Sequence, residues 1–373
     1  QVPTGEQVVP VTATATDAAG NTRVETTSVT VDTVPNALAI GPAAVEGDNV
    51  INLAESLDGA TITGTSVPNA VVTVNFGSGT RQVVTNGSGQ WTANFLRSEL
   101  PADTDAATVT ATTVDAAGNS STVTTTVGVD TVVQNLGVSG GAGLVNSASL
   151  SSGVVLTGTT EAGSTRVDVT LDGKTVVATV NPDGTWTAPF AGNMLPTGEK
   201  TVTLSVTATD KHGNIGTTSQ SVQVDTFVNR LENSATAVET DNVVNAAEAR
   251  DGVVLTGRVE AGSSVNLVYN GTSYAATVGA NGLWSATLPA SAFSNGDYTA
   301  TVQIHATDAA GNHSQISRSF AVDTVAPDGP LVESYTRDHL GISRISVETN
   351  GEDLTVSELK ADNSITVDRA EGV

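Results

Sequence analysis

Cysteine is absent from this chain of 373 residues, methionine occurs once, and aromatic residues make up 3%. The lack of cysteine excludes disulfides, iron–sulfur clusters, thiolate zinc sites and cysteine nucleophiles, and four histidines are too few for imidazole-rich metal centres. Basic side chains are scarce as well: 15 Lys and Arg stand against 39 Asp and Glu, a net charge of −24. Phosphate-binding faces need clustered Lys and Arg, no such cluster occurs, and nucleic acid is therefore not expected as a partner. Divalent cations held by oxygen ligands are expected instead. No apolar run reaches the length of a membrane span, and the N-terminus from Gln1 lacks the basic and apolar regions of a signal peptide, so the chain is expected to be soluble with its export route not visible. A hydrophobic fraction of 38% is low for a compact enzyme, yet with so much Val and Thr it is too high for a disordered polyanion. The bulk is expected to fold.

What the sequence does have is a repeat. Asp17-Ala18-Ala19-Gly20-Asn21 returns as Asp115-Ala116-Ala117-Gly118-Asn119, Asp210-Lys211-His212-Gly213-Asn214 and Asp308-Ala309-Ala310-Gly311-Asn312, at intervals of 98, 95 and 98 residues. A Val-Asp-Thr marker follows each, with its aspartates at Asp32, Asp130, Asp225 and Asp323, and Trp91, Trp186 and Trp284 keep the same register. Within a repeat the runs are short and alternate apolar with hydroxylated residues, as in Val202-Thr203-Leu204-Ser205-Val206-Thr207-Ala208, the pattern of a half-buried antiparallel strand. Asn86-Gly87, Asp172-Gly173, Asp183-Gly184, Asn270-Gly271 and Asn281-Gly282 punctuate them with residues suited to the positive φ of tight hairpins. No segment has a sustained helical period. About seven strands in just under 100 residues predict an all-β chain of tandem immunoglobulin-like sandwiches in a linear rod.

The markers set the boundaries. Residues 1–33 match only the last two strands of a repeat, so the sequence is expected to begin inside a domain. Full repeats follow over 34–130, 131–225 and 226–323, separated by linkers of a few residues that are expected to restrict interdomain freedom. Over 324–373 the pattern stops. There Ile345-Ser346-Val347-Glu348-Thr349 and Glu352-Asp353-Leu354-Thr355-Val356 flank Asn350-Gly351 as a hairpin would, which predicts a β-rich insertion or an incomplete module of another kind.

Calcium takes six to eight oxygen ligands, more than one strand can supply, and the repeat concentrates acids near its junctions. At the first junction the expected set is Asp17, in the loop between the last two strands, Asp32 at the linker, and Asp48, Asn52, Glu55 and Asp58 from the opening of the next repeat. At the third it is Asp210 and Asp225 with Asp241, Asn245, Glu248 and Asp251. The middle junction keeps Asp115 and Asp130 but has Asn146, Ser149 and Ser152 in the following repeat, so it is expected to bind calcium weakly or not at all. The fourth has Asp308 and Asp323, with Asp328 and Asp338 as candidate partners. The bland alternative makes Asp-Ala-Ala-Gly-Asn a plain turn, with Asp capping the loop and Gly at positive φ.

The three tryptophans are expected in the core, one per sandwich, rather than on a sugar-stacking platform. Asp172 and Asp183 are accounted for as hairpin residues. His305 is expected to be exposed on its strand, and His212 replaces an alanine in its loop; neither joins a recognisable catalytic motif. Gly77-Ser78-Gly79 follows a strand but opens no helix, and catalysis is not expected.

Through these loops and Val-Asp-Thr markers, residues 1 to about 327 resemble the bacterial immunoglobulin-like repeats of giant surface adhesins exported by type I secretion. The resemblance implies a monomeric rod at the bacterial surface, rigidified by interdomain calcium, that carries a tip binding a host glycan, protein or surface. It implies Asp17, Asp32, Asn52 and Glu55, and again Asp210, Asp225, Asn245 and Glu248, as ligands, and the serines of the middle junction depart from it. Two alternatives stand beside this reading: a glycan- or protein-binding module near the tip, and accessory repeats of an exported polysaccharide-degrading enzyme.

Overall fold

In the computed structural model the described residues are 3–326 and four later strands, Leu331–Arg337, Ser343–Glu348, Leu354–Leu359 and Ile365–Arg369. The chain divides into two compact units, Gln1–Asp225 and Thr226–Val373.

The predicted alternation becomes strands with one buried face. Along Glu199–Thr209, Val202, Leu204, Val206 and Ala208 point inward while Thr201 and Thr203 face water, as the two-residue period of a strand requires. In the first unit the hairpin Glu6–Thr16/Thr22–Asp32 leads into two sandwiches. One joins a three-stranded sheet (Leu38–Ile40, Ala60–Ser66, Gln90–Phe95) to a five-stranded sheet ordered Val50–Ile51, Ser120–Val129, Thr104–Val114, Val71–Phe76, Gly79–Val84. The other joins Gly137–Gly140, Val154–Thr159, Thr185–Phe190 and Thr179–Val180 to Leu144–Val145, Ile215–Asp225, Glu199–Thr209, Arg166–Leu171 and Lys174–Val177. The second unit repeats that arrangement with Glu232–Asn233, Val253–Arg258, Leu283–Leu288 and Thr277–Val278 against Val243–Asn245, His313–Asp323, Asp297–Thr307, Ser264–Tyr269 and Thr272–Ala275.

Each sandwich thus has eight or nine strands rather than about seven. The first segment switches sheets: its opening part pairs antiparallel in one, and a short continuation, such as Val50–Ile51, pairs parallel with the last strand of the other. The segment after that continuation closes with α1 (Ser147–Ser152) and α2 (Ala246–Asp251) in the later two repeats and with a single 3-10 turn, Glu55–Leu57, in the first.

Each core is built on its tryptophan. Trp91, Trp186 and Trp284 are all buried and lie directly across the ladder from Gly64, Gly158 and Gly257. A Cβ on those glycines would fall 2.1, 2.2 and 2.6 Å from the indole carbons, so the missing side chain is what lets the ring lie over the neighbouring strand. Trp186 also donates Nε1–H to the Thr159 carbonyl at 3.0 Å. His305 is half-buried on the outward face of its strand, between buried Ile304 and Ala306.

Beyond Asp323 the described strands form two separate hairpins, Leu331–Arg337 with Ser343–Glu348 and Leu354–Leu359 with Ile365–Arg369. Pairing of the strands on either side of Asn350-Gly351 is corrected: each takes its partner from its other sequence neighbour. The Asn350-Gly351 turn itself, and Asp328 and Asp338, lie outside the described residues.

Candidate metal centre at the repeat junction

The Asp-x-x-Gly-Asn loop closes on itself. In the first copy Asp17 Oδ1 accepts from the Ala19 and Asn21 amides, both at 2.9 Å, and Oδ2 accepts from Asn21 Nδ2 at 2.9 Å. Asp115 does the same with Ala117 and Asn119, and Asp210 with His212 and Asn214. The glycines stand at φ 83–92°, a left-handed region open to them without steric cost. Hydrogen bonds from Asn21 and Asn119 hold the Asp17 and Asp115 carboxyls below the usual range, since donors favour the charged form. The turn-forming role of this aspartate is therefore present in the structure whatever else it does.

Antiparallel pairing decides which ends meet. Thr16 faces Thr22 at one end of the first hairpin and Glu6 faces Asp32 at the other, so with ~3.3 Å of rise per residue Asp17 and Asp32 are about 33 Å apart. Asp210 and Asp225, and Asp308 and Asp323, are separated in the same way. Their expected grouping at one junction is corrected: in each hairpin the loop aspartate and the Val-Asp-Thr aspartate lie at opposite ends of the same sandwich strands. Asp32 meets Asn119, whose Nδ2 donates to its carbonyl and Oδ1 at 3.3 Å each and to Asp115 Oδ2 at 2.8 Å.

The acids that open a repeat also move to the other end. Parallel pairing of Val50–Ile51 with Gly128–Val129 carries Asn52 alongside Asp130, and Asn245 pairs with Asp323. Asn52 and Glu55 bond reciprocally, Asn52 N–H to Glu55 Oε2 and Glu55 N–H to Asn52 Oδ1, both at 3.0 Å. Asn245 and Glu248 do likewise at the start of α2, and Asn146 and Ser149 at the start of α1. These are capping boxes, which satisfy amide donors left open at a helix start. Ser149, expected to mark a lost ligand, preserves the cap. Asn146→Ala is expected to lower the stability of its repeat by about 1 kcal/mol, read as the shift of its denaturant midpoint. Asp48 and Asp241 are exposed and accept from Val50 and Val243 amides two residues on; Asp58 and Asp251 are exposed at the ends of their helical turns.

The tightest acidic group among the described residues lies at the middle junction, where the sequence pattern predicted the weakest. Asp130, Glu161 and Asp210 bring one carboxylate oxygen each within 4.8 Å of one another. Asp210 is 1% exposed. Burial, with the charges of Glu161 and Asp210 beside it, pushes the Asp130 carboxyl up to about 6. The basic side chains beside it are only at the edge of ion-pair range: His212 Nε2 is 3.9 Å from Asp130 and Lys211 Nζ 4.0 Å from Glu161. His212 Nδ1 is 3.8 Å from Asp48 on the preceding repeat.

Glu161 escaped the sequence reading, although a signal was present. Glu161-Ala162-Gly163-Ser164 returns as Glu260-Ala261-Gly262-Ser263, whereas the first complete repeat has Val67-Pro68-Asn69-Ala70. An acid in a loop between strands carries no mark of the loop it will meet, and only the sheet order places this one at the same end of the sandwich as Asp210.

Residues 134–226 and 228–324 each match a protein-family model described as a bacterial Ig-like domain. A search of the curated proteins finds no match. Among solved structures, the chain is similar to a 1.5-MDa bacterial ice-binding adhesin at 27% identity, covering 79% of this chain and 100% of that one, with a TM-score of 0.41. It is similar to a Ca2+-stabilised adhesin with which an Antarctic bacterium binds ice, at 28% identity over 85% and 82% of the two chains, TM-score 0.36. It is also similar to a tetra-tandem repeat from the extending region of a large adhesion protein, at 23% identity over 86% and 83%, TM-score 0.31.

Proposed function

We propose that these tandem bacterial Ig-like domains form a calcium-rigidified stalk segment of a secreted bacterial surface adhesin, holding a binding part of the whole protein out toward host cells or surfaces. The observation that supports it is the Asp130, Glu161 and Asp210 group at a repeat junction. Three carboxylates so close, two of them half-buried and one fully buried, repel one another strongly in a medium of low dielectric. An all-oxygen donor set suits a hard cation, and calcium accepts irregular geometry with water and carbonyl oxygens completing its shell. Asp130 belongs to the end of one sandwich and Glu161 and Asp210 to the next, so an ion held by all three would join the two.

Calcium at about 100 times its dissociation constant is expected to stabilise the junction by about 2.7 kcal/mol. That gain should appear as a raised melting temperature and, in small-angle scattering, as a larger radius of gyration. Glu161→Gln should abolish most of it. Melting and scattering that ignored both calcium and chelator would overturn the reading. At the first junction Asn119 bridges only two carboxylates, Asp32 and Asp115, and Val67 stands at the position of Glu161, so weaker affinity is expected there. The proposed contributions of Asp17, Asp48, Asn52, Glu55, Asp58, Asp225, Asp241, Asn245, Glu248, Asp251, Asp308 and Asp323 are separable by single substitution in the same titration.

One observation favours a second reading, a glycan- or protein-binding module. In the second unit a cavity of about 550 Å3 opens beside Glu232–Asn233 and is lined by Thr256, Arg258, Leu283 and Ser285. Glu232 and Arg258 face each other across that sheet where the other repeats have Ala39 with Thr65 and Gly137 with Thr159. Binding on a glycan array that Arg258→Ala removes would support this reading; no binding by the intact chain would sink it.

A further inference from the structure

The same middle junction is also fastened by a single carboxamide. Asn214 Nδ2 donates to the Asp130 carbonyl at 2.9 Å, to Asp130 Oδ1 at 3.1 Å and to Asp210 Oδ2 at 2.7 Å, while its Oδ1 accepts the Leu53 amide at 2.8 Å. Asp130 and Leu53 belong to the first complete sandwich; Asn214 and Asp210 belong to the second. Both anchors are held in their own repeat: the Asp130 amide bonds to the Ile51 carbonyl at 3.0 Å, and the Leu53 carbonyl accepts from Ser56 Oγ at 2.7 Å. Asn214 is 3% exposed, so water competes little for these bonds.

The arrangement needs a side chain that donates and accepts at once. Aspartate would lack the donor and add a fourth negative charge, and alanine would lack both groups. The other copies separate this role from turn formation. Asn21 closes the same turn on Asp17; Asn119 closes its turn on Asp115 and also reaches across to Asp32, at 3.3 Å.

We propose that Asn214 is an interdomain latch that couples the first and second complete repeats without a cation, through the Leu53 amide on one side and Asp130 on the other. The latch goes beyond the calcium reading and needs no ion. It is tested by residue-resolved amide hydrogen exchange on the full chain, in chelator and in calcium. In Asn214→Ala the Leu53 amide is expected to exchange about five- to tenfold faster in both conditions, the effect of losing one buried hydrogen bond. The amides of His212 and residue 214, which bond to Asp210 Oδ1 in the loop, should stay protected. Asn21→Ala, which removes the same side chain from the first copy of the loop, should leave Leu53 unchanged.

Unchanged Leu53 exchange in Asn214→Ala overturns the latch. Loss of protection at 212 and 214 to the same extent overturns it too, because the loop would then have collapsed. An effect seen only in calcium overturns its independence of the ion. A chain that ignores calcium while Leu53 responds to Asn214→Ala would sink the calcium stalk and leave the latch standing.

Discussion

Replacing Trp186 by alanine is expected to destabilise the second complete repeat by about 3–5 kcal/mol, the range for truncating a buried aromatic ring in a packed core. Trp186 is fully buried and its Nε1–H bond to the Thr159 carbonyl is lost with the ring. Gly158→Ala makes the converse test. Its Cβ would meet the Gly137 carbonyl oxygen at 2.1 Å and Trp186 Cζ2 at 2.2 Å, far inside contact distance. Neither the backbone nor a ring held on all sides can yield cheaply, so a loss of about 1–3 kcal/mol or more is expected. Both are read from the denaturant-induced transition assigned to residues 134–226. A Gly158→Ala chain as stable as the parent would show that the indole can shift, and the pairing of Gly with Trp would lose its physical basis.

The second large effect is electrostatic and has the opposite sign from most aspartates. The Asp130 carboxyl is raised from 3.8 to about 6, so the folded state holds a proton that the unfolded chain has released. Stability from this group is full at and below pH 4, falls as pH rises through that window, and is lost above about 6. A shift of about two units corresponds to about 2–3 kcal/mol. In chelator, the chain is therefore expected to melt higher at pH 5 than at pH 7.5 at the transition that reports this junction. Asp130→Asn keeps an oxygen to accept from Asn214 but removes the charge. It should raise the melting temperature at pH 7.5, have little effect near pH 4, and forfeit the gain from calcium. A variant less stable than the parent at pH 7.5 in chelator would mean that Asp130 is held by favourable partners and is not under strain from its neighbours.

Much of the fold was legible because its signals are local. The Val/Thr alternation, the Asn-Gly and Asp-Gly turns and the periodic tryptophans each act within a few residues, and the sandwiches, hairpins and buried rings follow from them. The turn geometry of Asp-x-x-Gly-Asn was legible for the same reason, since Asp17 and Asn21 close their loop unaided. The grouping of acids was not. Asp17 and Asp32 are near in sequence and lie at opposite ends of a hairpin, while Asp130, Glu161 and Asp210 are far apart in sequence and converge. Asn52 and Glu55 looked like ligands, but their spacing is also that of a capping box, and the Asn146 and Ser149 pair separates the two meanings.

The sequence by itself determined that this is a cysteine-free, acidic, all-β chain of tandem repeats, because strand period, turn chemistry and repeat length are properties of neighbouring residues. Only the tertiary structure decided where the charge of −24 gathers. Antiparallel strands carry a loop and its following linker to opposite ends of a sandwich, and a short parallel strand carries the opening of a repeat to its far end. The carboxylates that share a junction are therefore chosen by sheet topology, and the strongest group formed where the local pattern was poorest.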